Sequence, residues 1–189
     1  MRQGIFGGTF DPPHLGHLVV AQDAWSALGL DRVVFIPAAV PPHKRGRITP
    51  AELRLEMLRA ATAGDERFEV SDLELRRPGP SYTVDTLREL RERDPTCALF
   101  LLLGADQFIE FHTWREAEEI ARLATLVVLS RGGLDTGSPR IAVPHRVLPV
   151  TRIDISATEI RRRVQAGEPI RYLVPRGVEE IVEREGLYR

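Results

Sequence analysis

The chain predicts an α/β fold with a mostly parallel sheet covered by helices on both faces. Apolar runs alternate with amphipathic stretches from end to end, the rhythm of βαβ units. The first apolar run, Gly4-Ile5-Phe6, passes through a glycine turn straight into a helical pattern. Several polar loops follow predicted strands, the edge of an α/β sheet where ligands sit. Strands are expected near 3–7, 32–37, 67–75, 98–104, 125–130 and 146–150. Helices are expected near 14–29, 50–63, 83–93, 114–123, 156–166 and 176–186, with loops at 37–49, 75–82, 104–113 and 131–145.

Each element rests on local pattern. Gly4-Ile5-Phe6 is too short for a helix but suits a buried strand. Beyond Pro12-Pro13, the positions Leu15, Leu18, Val19, Ala21, Gln22, Trp25 and Leu28 recur at helical spacing, starting a helix near His14. Two later starts read as capping boxes: Thr49-Pro50-Ala51-Glu52, with proline at the first helical position, and Ser156-Ala157-Thr158-Glu159. No linker, repeat or low-complexity segment divides residues 1–189, so one domain is expected, large enough to bury a core without disulfides.

The single cysteine, Cys97, suits a reducing compartment and reads as a small buried residue. No apolar run approaches the roughly 20 residues that span a bilayer, and the chain opens directly on a strand, so a soluble cytoplasmic protein is expected. A formal net charge of -1 predicts no general attraction to nucleic acid or acidic membranes. Any anion site must be local. Of 26 Lys plus Arg only Lys44 is lysine, which points to a task for a compact ammonium in the Pro41-Pro42-His43-Lys44 loop.

The segment Gly7-Gly8-Thr9-Phe10-Asp11-Pro12-Pro13-His14-Leu15-Gly16-His17 carries the most chemistry. Glycines after a strand let backbone N–H groups approach an anion closely. His14 and His17 share one face of the first helical turn, where the helix dipole favours negative charge, and Gly16 keeps that face open. An ordinary turn with histidine caps is the plainer reading. Zinc is another, but a third ligand is lacking: Asp11 precedes the prolines and Cys97 is remote. No Walker sequence, G-x-G-x-x-G fingerprint, Ser-His-Asp spacing or paired catalytic carboxylate occurs.

These eleven residues resemble the signature of the H-x-G-H nucleotidyltransferases and, in this full form, the bacterial nicotinate-nucleotide adenylyltransferases. The resemblance continues in order through Pro41–Lys44, Ser81-Tyr82-Thr83, Gly104-Ala105-Asp106, Trp114, Ser130-Arg131 and Ile155-Ser156-Ala157-Thr158-Glu159-Ile160-Arg161. It implies a Rossmann-like, doubly wound nucleotidyltransferase fold with the first strand near the sheet centre. The implied reaction joins ATP to nicotinate mononucleotide, releasing pyrophosphate and forming nicotinate adenine dinucleotide in NAD synthesis. Another H-x-G-H enzyme, such as a pantetheine-phosphate adenylyltransferase or a cytidylyltransferase, and a non-catalytic nucleotide sensor remain alternatives.

The resemblance also assigns residues. His14 and His17 are the catalytic pair, donating to the α- and β-phosphate region, with protonation needed for either ring to donate from both nitrogens. ATP is expected against Gly7, Gly8, Thr9, Phe10, Gly104 and Asp106, with Ile155, Ser156, Thr158 and Arg161 at the β- and γ-phosphates. Ala157 departs from the family pattern, which commonly places a hydroxyl there. The mononucleotide is expected at Lys44 and Arg131 through its phosphate, at Trp114 through its ring, and at Tyr82 and Thr83 through its carboxylate. Magnesium is expected to arrive bound to ATP, with no protein metal cage. The expected partners are ATP and nicotinate mononucleotide, with homo-oligomerisation left open.

Overall fold

A computed structural model describes residues 1–42, 46, 48–130 and 141–189. The strands are β1 (Arg2–Gly8), β2 (Arg32–Pro37), β3 (Phe68–Val70), β4 (Ala98–Gly104), β5 (Thr125–Ser130) and β6 (His145–Pro149). The helices are α1 (Leu15–Leu28), α2 (Ala51–Thr62), α3 (Thr83–Arg93), α4 (Ala105–Ile109), α5 (Ala117–Leu123), α6 (Ala157–Gln165) and α7 (Arg176–Arg184), with a 3-10 turn at Phe111–Thr113. The strands form one sheet in the order β3-β2-β1-β4-β5-β6. All five pairings are parallel, so the fold is the doubly wound one expected, with β1 central.

Alternation along the strands divides the core into two layers. Ile5, Val34, Ile36, Leu99, Leu101, Leu103, Leu126 and Val128 face α3, α4 and α5. Phe6, Val33, Phe35, Phe100, Leu102, Val127 and Leu129 face Val20, Ala21 and Ala24 of α1. Met57 of α2 joins Ile160, Ile170, Val174, Val178 and Ile181 in a third cluster that seats α6 and α7.

Strand order reverses between β1 and β4, and the sheet splits there. Arg2–Ile5 pair with Ala98–Leu101. Beyond that register Phe6–Gly8 stay with Phe35–Pro37 of β2, whereas Leu102–Gly104 stay with Val127–Leu129 of β5. A crevice therefore opens at the carboxyl ends of the two central strands, the place where such sheets bind ligands.

Four local expectations are corrected, the last of them in part. The strand foreseen over 67–75 is only Phe68–Val70. Ser71 still donates to the Phe35 carbonyl at 2.9 Å, but Asp72 then accepts from Leu75 and Arg76 and turns the chain out of the sheet. Leu73 and Glu74 are buried nonetheless, which is why the apolar pattern ran on. The box at Thr49 does not form: α2 has Pro50 at its N-cap without a side-chain bond, and the Thr49 carbonyl and N–H serve Arg54 and Asp11 instead. The 104–113 loop contains α4 and the 3-10 turn, too short to register as periodicity. The Ser156 box is half made, since Ser156 Oγ accepts from the Glu159 N–H at 3.2 Å. The Glu159 carboxylate turns instead to Arg162 and Arg163, which hold it down to about 2.

Candidate active site

Where β1 and β4 part, Gly7-Gly8-Thr9 stands between two cavities. The larger, about 510 Å³, is bordered by Gly7–Asp11, by Gly16 and His17 of α1, by Gly104–Gln107 after β4, by Ser130 and by Ala157. The smaller, about 190 Å³, is bordered by Ala38, Pro41, Pro42, Glu74, Ser81–Thr83, Thr86, Trp114 and Arg115. Gly7, Gly8, Thr9 and Gln107 border both. Two ligands, one in each, would meet at the end of β1.

The histidine pair is built with the helix start. His14 is the extended N-cap of α1 and is buried, at 4% exposure. Its ring stacks on that of His17, centroids 3.7 Å apart and 26° from parallel. The His14 backbone N–H donates to Nδ1 of His17 at 3.2 Å, which leaves the neutral His17 ring with its proton on Nε2. The neutral His17 ring can therefore donate from Nε2 alone, and donation from both nitrogens would still require the protonated form. On its other side His17 meets the edge of Phe10, centroids 5.0 Å apart.

Gly16 borders the larger cavity and meets a second constraint from the His14 ring. A Cβ there would lie 3.0 Å from His14 Nδ1 and 3.1 Å from its Cε1. The His14 ring folds over the glycine, so a side chain here would have to displace that ring by a few tenths of an ångström. Gly8 is likewise constrained, since a Cβ would approach the Phe10 ring to 2.8 Å, whereas at Gly7 the space is open. Phe10, buried, adopts a left-handed backbone at φ 50. The helix start is also less open than foreseen, because Leu15 donates to the Leu173 carbonyl at 3.0 Å.

Beside the turn lies a polar network centred on two buried groups, Arg54 and Asp11. Arg54 of α2, 1% exposed, donates to the carbonyls of Thr49 and Thr9, both at 2.8 Å, and of Ala39 at 3.3 Å. Burial lowers its pKa, partly offset by the charge of Asp11. Asp11 accepts the Tyr188 hydroxyl at 2.6 Å and the Thr49 N–H at 3.3 Å. Arg161 of α6 donates to the Asp11 carbonyl at 2.8 Å and to Thr158 Oγ1 at 3.3 Å.

A family model described as cytidylyltransferase-like matches residues 5–163. A Thermus thermophilus protein named "Probable nicotinate-nucleotide adenylyltransferase" is 52% identical over 191 residues, covering 100% of both chains. A Rubrobacter xylanophilus protein of the same name is 44% identical over 198 residues, covering 100% of this chain and 92% of its own. The chain belongs to the nicotinate-nucleotide adenylyltransferase family. The nicotinic acid mononucleotide adenylyltransferase of Plasmodium falciparum, solved in complex with NaAD, shares the fold at a TM-score of 0.81 and 19% identity, covering 99% of this chain and 97% of its own.

With the family established, the sequence-derived residues separate into groups. Gly7, Gly8, Thr9, Phe10, His17, Gly104 and Asp106 border the larger cavity, and His14 stacks behind His17. From the Ile155–Arg161 motif, Ala157 borders that cavity, the Ile155 carbonyl would sit 3.7 Å from a Cβ on Gly16, and Arg161 reaches the turn through Asp11. Ser156 and Thr158 are exposed. Tyr82, Thr83 and Trp114 border the smaller cavity, Tyr82 being the N-cap of α3 and Trp114 packing on Phe111 at 5.5 Å. Lys44 and Arg131 lie outside the described residues, as does His43.

Sequence reasoning missed Arg54, Glu74, Gln107, Arg115 and Tyr188. Gln107 Oε1 accepts the Gly104 N–H at 3.1 Å, leaving its amide nitrogen to donate at the junction of the cavities. The Arg115 guanidinium lies 4.8 Å over the Tyr82 ring. Glu74 accepts from Thr86 Oγ1 at 2.6 Å, and burial pushes its pKa up against the hydrogen bonds of Thr86 and Ser81. Ser81 Oγ also accepts from the N–H groups of Ala39 at 2.9 Å and Val40 at 3.3 Å, tying together two walls of the smaller cavity. Among the described residues no three His, Cys, Asp or Glu side chains gather to hold a metal, and no helix is long and apolar enough to cross a membrane.

Proposed function

We propose that this chain transfers the adenylyl group of ATP to nicotinate mononucleotide, ATP occupying the larger cavity and the mononucleotide the smaller. The observation that carries the reading is that both cavities border Gly7-Gly8-Thr9 and Gln107. A phosphate oxygen of the mononucleotide attacks the α-phosphorus of ATP there. One P–O bond forms, the bond to the β-phosphate breaks, and pyrophosphate leaves. The attacking oxygen is already ionised, so no general base is required.

The chemical difficulty is to bring two polyanions into line while charge grows on the α-phosphate and the leaving group. Orientation and preorganised donors answer it. His17 donates from Nε2 to the α- and β-phosphate region, with His14 stacked behind it. Gln107 donates from its amide nitrogen where the substrates meet. Thr158, Ser156 and Arg161 receive the β- and γ-phosphates at the rim. Lys44 and Arg131 take the mononucleotide phosphate, Trp114 its ring, and the Tyr82-Thr83 backbone its carboxylate. Magnesium carried on the ATP phosphates supplies further charge neutralisation, with Asp106 bordering the same cavity. Residues 1–189 act as one domain in this reading, supported by the contacts of Arg161 and Tyr188 with the catalytic turn.

The test is pyrophosphate release from Mg-ATP with nicotinate mononucleotide, nicotinamide mononucleotide, phosphopantetheine or glycerol phosphate in turn. Turnover with nicotinate mononucleotide, at least tenfold above the other three in kcat/KM, is expected. Turnover with phosphopantetheine alone overturns the reading, as does ATP binding without turnover on any acceptor.

A further inference from the structure

Tyr188 takes no part in the reaction as proposed, yet its hydroxyl ends 2.6 Å from Asp11 Oδ1 across 177 residues of sequence. After α7 the chain turns at Gly186, φ 58, and again at Tyr188, φ 63. The Leu187 N–H returns to the Val182 carbonyl at 3.0 Å, so the turn is anchored to its own helix. A left-handed backbone is unfavourable for an aromatic residue and persists where surroundings hold it. Phe10, beside Asp11, has the same conformation at φ 50. One of these unfavourable residues donates the hydrogen bond and the other precedes its acceptor.

Asp11 is where three elements converge on the catalytic turn. Its carboxylate takes Tyr188 from beyond α7 and the Thr49 N–H from before α2. Its carbonyl takes Arg161 of α6, two residues from the Thr9 carbonyl held by Arg54 of α2. Arg54 and Arg161 thus hold the Thr9 and Asp11 carbonyls of the turn, and Gly7, Gly8, Thr9, Phe10 and Asp11 all border the larger cavity. Burial and the Asp11 carboxylate push the Tyr188 pKa upward, so the phenol stays a donor throughout the working range of pH.

We infer that Tyr188 is a positioning residue for adenylyl transfer, its hydroxyl holding Asp11 so that the Gly7–Asp11 turn and Arg161 keep the shape that receives the ATP phosphates. The inference rests on the ATP assignment proposed above. It concerns one side of the crevice only: Asp11 borders the larger cavity, Tyr188 supports it from behind, and neither borders the smaller one.

The experiment compares the full chain with Tyr188→Phe, Asp11→Asn and the double variant, well below their unfolding temperatures. Tyr188→Phe keeps the ring and its packing against the α6–α7 cluster. Its kcat is expected to fall about tenfold, the strength of a charge-assisted hydrogen bond. A non-hydrolysable ATP analogue should bind about threefold to tenfold more weakly, while the KM for nicotinate mononucleotide stays within twofold. The double variant should lose no more than the worse single one. The inference is overturned if Tyr188→Phe keeps kcat and analogue affinity within twofold of the parent, if mononucleotide KM rises by the same factor as kcat falls, or if the two losses multiply. An inactive parent chain would instead refute the proposed reaction, and analogue affinity alone would still decide the role of Tyr188.

Discussion

Gly16→Ala separates ring placement from fold stability. The added methyl would stand 3.0 Å from His14 Nδ1 and 3.1 Å from Cε1, where ordinary carbon contacts begin near 3.4 Å. The His14 ring must therefore give by a few tenths of an ångström. It has little room, being 4% exposed and stacked 3.7 Å from His17. Since about 1 Å of misplacement costs on the order of a hundredfold in rate, a shift of this size should lower kcat about threefold to tenfold. Stability should hardly move: overpacking costs about 1 kcal/mol at the mild end, and replacing a helical glycine by alanine returns up to about 1 kcal/mol. Gly16 is absent from the glycines with positive φ, so alanine suffers no backbone penalty. Pyrophosphate release gives kcat and a thermal scan gives Tm, which should stay within about 4 °C of the parent. Unchanged kcat, or a loss of kcat accompanied by a Tm fall well beyond that range, would refute the claim that a side chain at Gly16 displaces the His14 ring.

His17→Asn places an amide oxygen near the position of Nδ1, preserving an acceptor for the His14 N–H while removing the Nε2 donor; kcat should fall about 10²- to 10³-fold with helix content unchanged by circular dichroism. Arg54→Met leaves the Thr9, Ala39 and Thr49 carbonyls without their donor, and denaturant titration should show a loss of about 3 to 5 kcal/mol. Glu74→Gln tests the buried carboxyl. Because burial raises its folded pKa above the ordinary 4.5, the ionised group destabilises the fold at pH values above both its folded and unfolded pKa, and that penalty disappears as pH falls and both states become protonated. The parent should therefore gain stability relative to Glu74→Gln as pH falls from above the raised folded pKa toward the ordinary 4.5. A constant difference in Tm across that range would count against a raised pKa, since the exchanged hydrogen bonds contribute an offset that does not vary with pH.

Much of the site was readable because it is local. The glycine turn, the N-cap at His14, the three-residue spacing to His17 and the Ser156 cap all depend on neighbours within one turn of helix. The alternation of Ile5 with Phe6, or Leu101 with Leu102, assigns faces of the sheet before any partner is known. Errors arose where a tertiary contact competed with a local rule. Thr49 fits a cap in isolation, but a buried Arg54 and Asp11 claim its carbonyl and N–H. Leu73 prolongs an apolar run because it is buried under a turn, not because it is in a strand.

By itself the amino-acid order determined the βαβ rhythm, the family signature and the glycine turn leading into the histidine pair, since periodicity and motif spacing are encoded within a few residues of one another. Tertiary structure alone decided that Leu15 donates to the Leu173 carbonyl and that Arg54, Glu74 and Tyr188 support the site. An arginine or glutamate looks the same in sequence whether solvated or buried. Only the packed fold, bringing Tyr188 against Asp11 over 177 residues, removes the water that would otherwise satisfy such groups and makes their partners obligatory.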